Sequence, residues 1–498
     1  MKLSKIKIAL VIVIAIGFAS CSKKLDKYPY SSIELSQSFK TVKDAKTWDN
    51  GFYAYLRGSV YGIYTFATDV QADQLNASID YGNRNGAPHR WNDFLADDYT
   101  IRDSWSGYYS AITNLNIAID GYTQIVAQST AETDSLNKFT GDAYAARAYY
   151  YHQLVLRWAK PYEPATAATD LAVPLLTKYD INAKPVRATV KAVYDQIISD
   201  IVKAKTLLAN VTGRQGATHF NKDVVNALDA RVKLSMQDWA GAKTAADLVI
   251  NTNLYPLITT QAGLAQMWLN DVATEVVFMI SLSKPNELGN SNSIYLGSYG
   301  ATTKRFTPDF IPSKWVIDSY EDKDIRKFVY FAKLPIASQA GNFDDVYLVN
   351  KYPGNPALFT TANTNFQQAP KVFRVAESYL ISAEAASKNG DAASALTTIN
   401  KLRVARGLTA LAGVTGDALL QAIKDERTRE LAFEGFRLDD LKRWHLGFTR
   451  REPQNLNLIT TGTQYQGLTI AADADKFVWG LPTNDVTINT NLKQNNGW

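Results

Sequence analysis

Glu426, Glu430 and Glu434 fall at four-residue intervals, the spacing that lines carboxylates along one face of an α-helix. Two carboxyl groups held apart at the right distance can act as acid and nucleophile on a glycosidic bond. Here Arg427, Arg429, Arg437 and Arg443 are interleaved with them. Cationic neighbours hold carboxylates ionised, which suits salt bridging and not proton donation, so no catalytic residue is assigned and the chain reads as a non-enzyme. His89, His152, His219 and His445 stand far apart, with no second histidine at a ligand spacing, so neither a metal nor a nucleophile-activating base is expected. No glycine pattern matches a phosphate loop or dinucleotide fingerprint, and no cofactor is expected.

The single cysteine of the 498 residues excludes an internal disulfide framework and a thiolate metal site. Its position gives it another meaning. Lys2, Lys5 and Lys7 precede an apolar run from Ile8 to Phe18, and Ala19-Ser20-Cys21 follows. This is the pattern of a secretory signal, residues 1–20, ending at a lipobox whose cysteine becomes the acylated first residue. The apolar run would span roughly 16 Å as a helix, about half a bilayer core, so attachment through lipid on Cys21 is expected in place of a membrane span. Removing residues 1–20 takes away three lysines and no acid, leaving 50 basic against 48 acidic residues. A nearly neutral exported protein has no broad field for nucleic acid phosphates.

The elements that must position any site are helices. Residues 21–40 are polar and contain Pro29, as a tether would. Beyond them, Val190, Val193, Tyr194, Ile197, Ile201, Ala204 and Leu208 follow helical spacing after Thr189, a capping residue. Comparable patterns predict helices near 42–57, 104–126, 136–158, 222–236, 240–251, 371–388, 391–406 and 416–434. Ala230, Asp238, Ala242 and Ala246 recur as Ala383, Asp391, Ala395 and Ile399 at a constant offset of 153 residues. Such alanine-rich hairpins resemble tetratricopeptide units, which stack because one unit cannot bury its own face; ordinary antiparallel helix packing fits the spacing equally well. Residues 261–370 are rich in Pro, Asn, Ser and Gly and predict loops with short strands.

The order of several long segments resembles the SusD/RagB family of Bacteroidota outer-membrane lipoproteins. GDAYAARAYYYHQLVLRW at 141–158, RATVKAVYDQIISDI at 187–201, IKDERTRELAFEGFRLDDLKRW at 423–444 and FVWGLPTNDVTINTNLKQNNGW at 477–498 carry the likeness. Asp485 stands where the family usually has glutamate, Asn496 where it has proline, and Lys23 and Lys24 where surface-exported members carry acids. The resemblance implies a mostly α-helical SusD-like fold, with tetratricopeptide-type hairpins supporting a loop-rich binding region. It divides the mature chain into a helical region at 41–260, a loop-rich insertion at 261–370 and a C-terminal region at 371–498, packed as one body. It further implies surface-facing attachment to the outer membrane, non-catalytic capture of a nutrient, and delivery to a SusC-like TonB-dependent barrel. The nutrient is expected to be an oligosaccharide or polysaccharide; a peptide is the alternative, and a glycosidase or a ligand-free scaffold would be departures.

Sugar rings stack on flat aromatic faces while amides, carboxylates and guanidinium groups take their hydroxyls. Most of the 10 Trp, 27 Tyr and 20 Phe belong in a core, including Tyr149, Tyr150, Tyr151 and Trp158. The aperiodic, polar-aromatic stretch from 69 to 105 is where the family resemblance implies part of the ligand platform. There Trp91 is expected to stack, with Asp73, Arg84, Arg90 and Asn92 as polar partners, and the loop SNSIYLGSYG at 291–300 adds Tyr295 and Tyr299.

Overall fold

The computed structural model describes residues 35–498; the predicted signal, Cys21 and most of the tether lie outside the described residues. The principal helices are α1 (Val42–Ser59), α2 (Ile63–Gln71), α3 (Tyr99–Tyr122), α4 (Thr130–Trp158), α5 (Val190–Leu207), α6 (Lys222–Ser235), α7 (Trp239–Ile250), α8 (Val375–Lys388), α9 (Ala392–Ala405), α10 (Gly416–Glu430) and α11 (Arg437–Arg443). Caps begin them as the sequence leads one to expect. Thr41 and Asp44 form a reciprocal capping box on α1, and the Thr189 hydroxyl accepts the Ala192 N–H on α5.

The helices form a continuous row. α1 packs on α3 and α4, α4 on α5, α5 on α6, and then α6, α7, α8 and α9 each on the next, with α10 against α8 and α9. The two hairpins at the 153-residue offset are thus neighbours in space. Ala230, Ala242 and Ala246 of the first meet Ile381 and Ala385 of the second in one buried cluster, where small side chains let the helices approach closely. Their turns are equivalent as well. Asp238 caps α7 by accepting the Gly241 N–H at 3.0 Å, and Asp391 caps α9 by accepting the Ser394 N–H at 3.0 Å. The preceding residues, Gln237 and Gly390, both take positive φ, at 59° and 79°.

Short strands pair into several small sheets. β1 (Leu75–Ala77) pairs antiparallel with β3 (Phe310–Pro312), and β2 (Val276–Met279) with β4 (Lys371–Arg374). The helix expected from 371 therefore begins only at Val375. Residues 371–374 are extended because β2 supplies their hydrogen bonds, an interaction with a segment about a hundred residues earlier that no local pattern reports. Within 261–370, strands Ser298–Gly300, Arg305–Thr307, Ile336–Ser338 and Gly341–Phe343 form a small sheet. The core runs from Phe39 to Leu492 and contains the buried Tyr149, Tyr150, Tyr151 and Trp158. The C-terminal segment is tied into it, since the Trp158 indole donates to the Gly480 carbonyl and that of Trp498 to Val478.

Candidate functional site

The three glutamates converge inside the protein. α10 ends at Glu430, and the chain turns through Phe433, at φ 63°, so Glu434 is not on the same helix face but returns from the turn to the same arginine. Glu430 meets Arg326 at 3.0 Å, Arg374 at 2.8 Å and Arg406 at 3.0 Å. Glu426 meets Arg326, Arg403 and Arg429 at 2.7 to 2.9 Å, and Glu434 meets Arg374 and Lys351 at 2.6 and 2.7 Å. Burial alone would raise these carboxyls. The cations outweigh it, pushing Glu426 down to about 2 and holding Glu430 and Glu434 below the usual range. Groups so firmly ionised have no proton to give at neutral pH, and Glu426 and Glu430 are fully buried while Glu434 keeps slight exposure. They fasten α10 and the turn at 431–435 to α8, α9 and the 326–351 segment.

The predicted ligand loop has a different construction. It leaves β1, whose partner β3 fixes one side, while a bridge between Ser78 and Ile459 fixes the other. Gln339 then donates its N–H to Asp80 at 3.2 Å and its amide to the Ile79 carbonyl at 2.8 Å. Farther along, the Tyr81 and Tyr465 hydroxyls meet at 2.8 Å, and the Tyr99 hydroxyl donates to Asn85 at 2.6 Å. Asn83 and Asn85 take positive φ, at 61° and 57°, a conformation their short polar side chains tolerate better than most. Segments near 80, 305, 339 and 465 thus meet at one loop face.

The seven expected ligand contacts divide sharply. Trp91 is buried, at 4% exposure, which corrects its assignment as a stacking platform. A φ of 65° turns it inward, its indole donates to the Gln71 carbonyl at 2.7 Å, and Phe448 and Phe477 stand edge-on to its ring. Tyr295 is fully buried against Tyr352 and donates to Asp69 at 3.0 Å, so it too presents nothing to a ligand. Asp73 is buried under a two-pronged bond from Arg437, with both contacts 2.8 Å. Arg90 is spent on Asp93, Tyr81 and Asn83 and shapes the loop from within.

Arg84, Asn92 and Tyr299 remain at the surface. The Arg84 side chain is 58% exposed while paired with the nearly buried Asp309, whose carboxyl burial raises against the pull of this guanidinium. Asn92 is exposed, with its side-chain carbonyl accepting the Asp93 N–H, and half-buried Tyr299 leans on Phe306 at 4.9 Å. Sequence reasoning missed Asp309, Gln339 and Tyr465. Each lies more than 200 residues from the loop it supports, and nothing near it in the chain signals the contact.

A model of starch-binding proteins associating with the outer membrane matches residues 24–234, and the SusD family model matches residues 329–498. The chain belongs to the SusD/RagB family. SusD-like protein P38 of Formosa agariphila is 24% identical over 546 residues, covering 99% of both chains. SusD-like protein P2 of the same organism is 24% identical over 524 residues, covering 97% of this chain and 98% of that one. Among solved structures, a SusD superfamily protein from Bacteroides thetaiotaomicron superposes with a TM-score of 0.78 at 24% identity, covering 91% of this chain and 99% of that one. A SusD-like carbohydrate binding protein from Bacteroides vulgatus gives 0.75 at 22% identity, covering 91% and 98%. The SusD fold therefore accounts for the row of helices and for the loop face carried on it. No helix among the described residues is long and apolar enough to cross a membrane.

Proposed function

We propose that the protein is an outer-membrane lipoprotein, anchored through Cys21 and facing the cell surface, that captures an oligosaccharide on its loop face and passes it to a SusC-like TonB-dependent barrel. The observation that carries the reading is the loop face itself. Exposed Arg84 and Asn92 and half-buried Tyr299 offer guanidinium, amide and ring contacts to a sugar, on a backbone immobilised by buried neighbours. Rigid presentation lowers the ordering cost of binding a flexible chain of sugars. The starch-binding description of the matching model and the carbohydrate-binding relative from Bacteroides vulgatus support a glycan over a peptide. Burial and ionisation of Glu426 and Glu430 favour binding without hydrolysis.

Calorimetry of the mature chain against neutral oligosaccharides and mixed peptides tests the ligand class. Saccharide binding weakened about tenfold by Arg84→Ala or Asn92→Ala is the expected result, each contact being worth about 1.4 kcal/mol. Unchanged affinity in both variants removes the loop-face assignment, and tight binding of peptides with none of saccharides replaces the glycan by a peptide. Cys21→Ser should release the protein from the membrane fraction, and a barrel protein should co-purify with the anchored form.

A further inference from the structure

A concave surface is built from elements other than those of the loop face. It runs between α1 and α3 and is closed by residues 174–185 and by the helix Thr483–Ile488 with the residues after it. Two adjoining hollows of about 190 and 570 Å³ share Tyr55 and Asn114. The larger volume is that of a ligand site for a molecule of a few rings.

Its lining is aromatic, hydroxylic and amidic. Trp105, all but buried at 4% exposure, and part-buried Tyr109, one turn apart on α3, tilt against each other at 4.7 Å, are pinned by their polar atoms and back the groove, leaving Tyr55 as its exposed ring. The Trp105 indole donates to Asp485 at 3.3 Å, and the Tyr109 hydroxyl donates to the Pro174 carbonyl at 2.8 Å. Tyr55, at 41% exposure, stands at the junction of the hollows and accepts the Asn114 amide at 3.1 Å. Ile488, at 63% exposure, adds an apolar edge. Around these, Ser106, Thr113 and Asn484 carry side-chain groups without a hydrogen bond to any described residue.

Charge is the discriminating feature. The lining contains no lysine or arginine, and Asp485 is its one acidic residue. A phosphate, sulfate or uronic acid would find no cation there and would meet a carboxylate. A neutral sugar brings C–H faces for rings and hydroxyls for amides, and needs no ion pair. We propose that this groove is a second carbohydrate site, taking a neutral oligosaccharide independently of the loop face. It rests on the glycan-binding reading above and adds a site which that reading does not require.

Photo-crosslinking of the full mature chain with diazirine-bearing neutral gluco-, manno- and xylo-oligosaccharides, followed by peptide mapping, tests it. Labelled peptides are expected from 105–114 and 484–492 as well as from 79–98. Tyr55→Ala with Asn484→Ala should cut groove labelling at least tenfold and leave the loop face labelled, while Arg84→Ala should do the reverse. Asn484 is exposed, so Asn484→Ala alone, with circular dichroism as the check on folding, repeats the test if the double variant misfolds. Labelling of the loop face alone overturns the second site and leaves the glycan reading standing. Absence of labelling anywhere by every sugar overturns both. Equal labelling of the groove by sulfated oligosaccharides, or its removal by competing peptides, overturns the neutral-sugar assignment.

Discussion

Two of this protein's arginine–carboxylate groupings stand at opposite extremes of burial. Around Glu430, the guanidinium groups of Arg326, Arg374 and Arg406 and the carboxylates of Glu275 and Glu426 are all but excluded from water, and each charge is matched by several others. At the loop face, Arg84 meets one carboxylate, Asp309, and the Asp80 carbonyl at 3.5 Å, and more than half of its side chain stays in solvent. The buried set fixes the geometry of the C-terminal region. The exposed pair leaves a guanidinium oriented and still available. Identical chemistry therefore reads as structure or as recognition according to how completely its hydrogen-bonding capacity is used up.

The sharpest way to break this contrast is to remove one member of the buried set. Glu430→Ala takes a shared carboxylate from Arg326, Arg374 and Arg406, which keep only Asp324, Glu426, Glu434 and Glu275 between them, and a broken buried ion pair costs about 3–5 kcal/mol. Urea unfolding followed by tryptophan fluorescence should show that loss; a change below about 1 kcal/mol would mean the network is solvated and the contrast false. Trp91→Ala is the counterpart in the loop. It empties a site among Ala72, Leu438, Leu441, Phe448 and Phe477, at a cost of about 3 kcal/mol. Saccharide affinity per folded molecule should stay within about twofold of the parent, whereas a stacking platform would lose it.

Acid gives a third measure. Glu426 is held at about 2 in the folded protein against an ordinary 4.5. Its stabilising contribution is fully present above the ordinary value and is lost as pH falls through about 2. Stability should therefore decline from about pH 4.5 downward, and Glu426→Gln should flatten that part of the profile while lowering stability at pH 7. Asp69 has the opposite sign. Burial pushes it up to about 7, against the Tyr295 hydroxyl and the Gly435 N–H that favour its charge. The contribution of its protonated form is present below its ordinary 3.8 and is lost as pH rises through 7. Asp69→Asn should remove the decline between pH 4 and 7, and an unchanged slope would exclude Asp69 as its source.

How far these features can be read from the chain depends on how local their causes are. The helical stripe after Thr189 is repeated every three to four residues and matches α5 almost residue for residue. Asp238 and Asp391 cap helices because each bonds to an N–H three residues away. The glutamate–arginine interleaving at 426–443 pointed to ion pairing, although it did not reveal Arg326, Arg374 or Arg406, which arrive from elsewhere. Trp91 failed for the same reason. Its burial depends on Phe448 and Phe477, more than 350 residues away, and on a backbone turned to positive φ. Tyr295 likewise is claimed by Asp69 and Tyr352. In a polar loop, composition tells that aromatics are present; only long-range contacts decide which of them face water.

The smallest expected change in stability tests the exposed half of the contrast. Arg84→Ala removes a partner from Asp309 but takes away a side chain that was largely hydrated, and such pairs contribute about 1 kcal/mol or less. Burial already raises the Asp309 carboxyl with Arg84 in place, so without the guanidinium it rises further and takes up a proton more readily. The stability deficit of Arg84→Ala should therefore shrink as pH falls toward the point where Asp309 is neutral in the variant. Affinity should behave differently if, as proposed, a sugar meets the guanidinium and not the pair. The loss of saccharide binding in Arg84→Ala should persist across the same pH range, and Asp309→Asn, which keeps the guanidinium, should retain most of the binding. If Asp309→Asn abolishes binding as fully as Arg84→Ala, the pair acts through loop shape alone, and Arg84 joins Arg90 and Trp91 among the residues that build the face without touching the ligand.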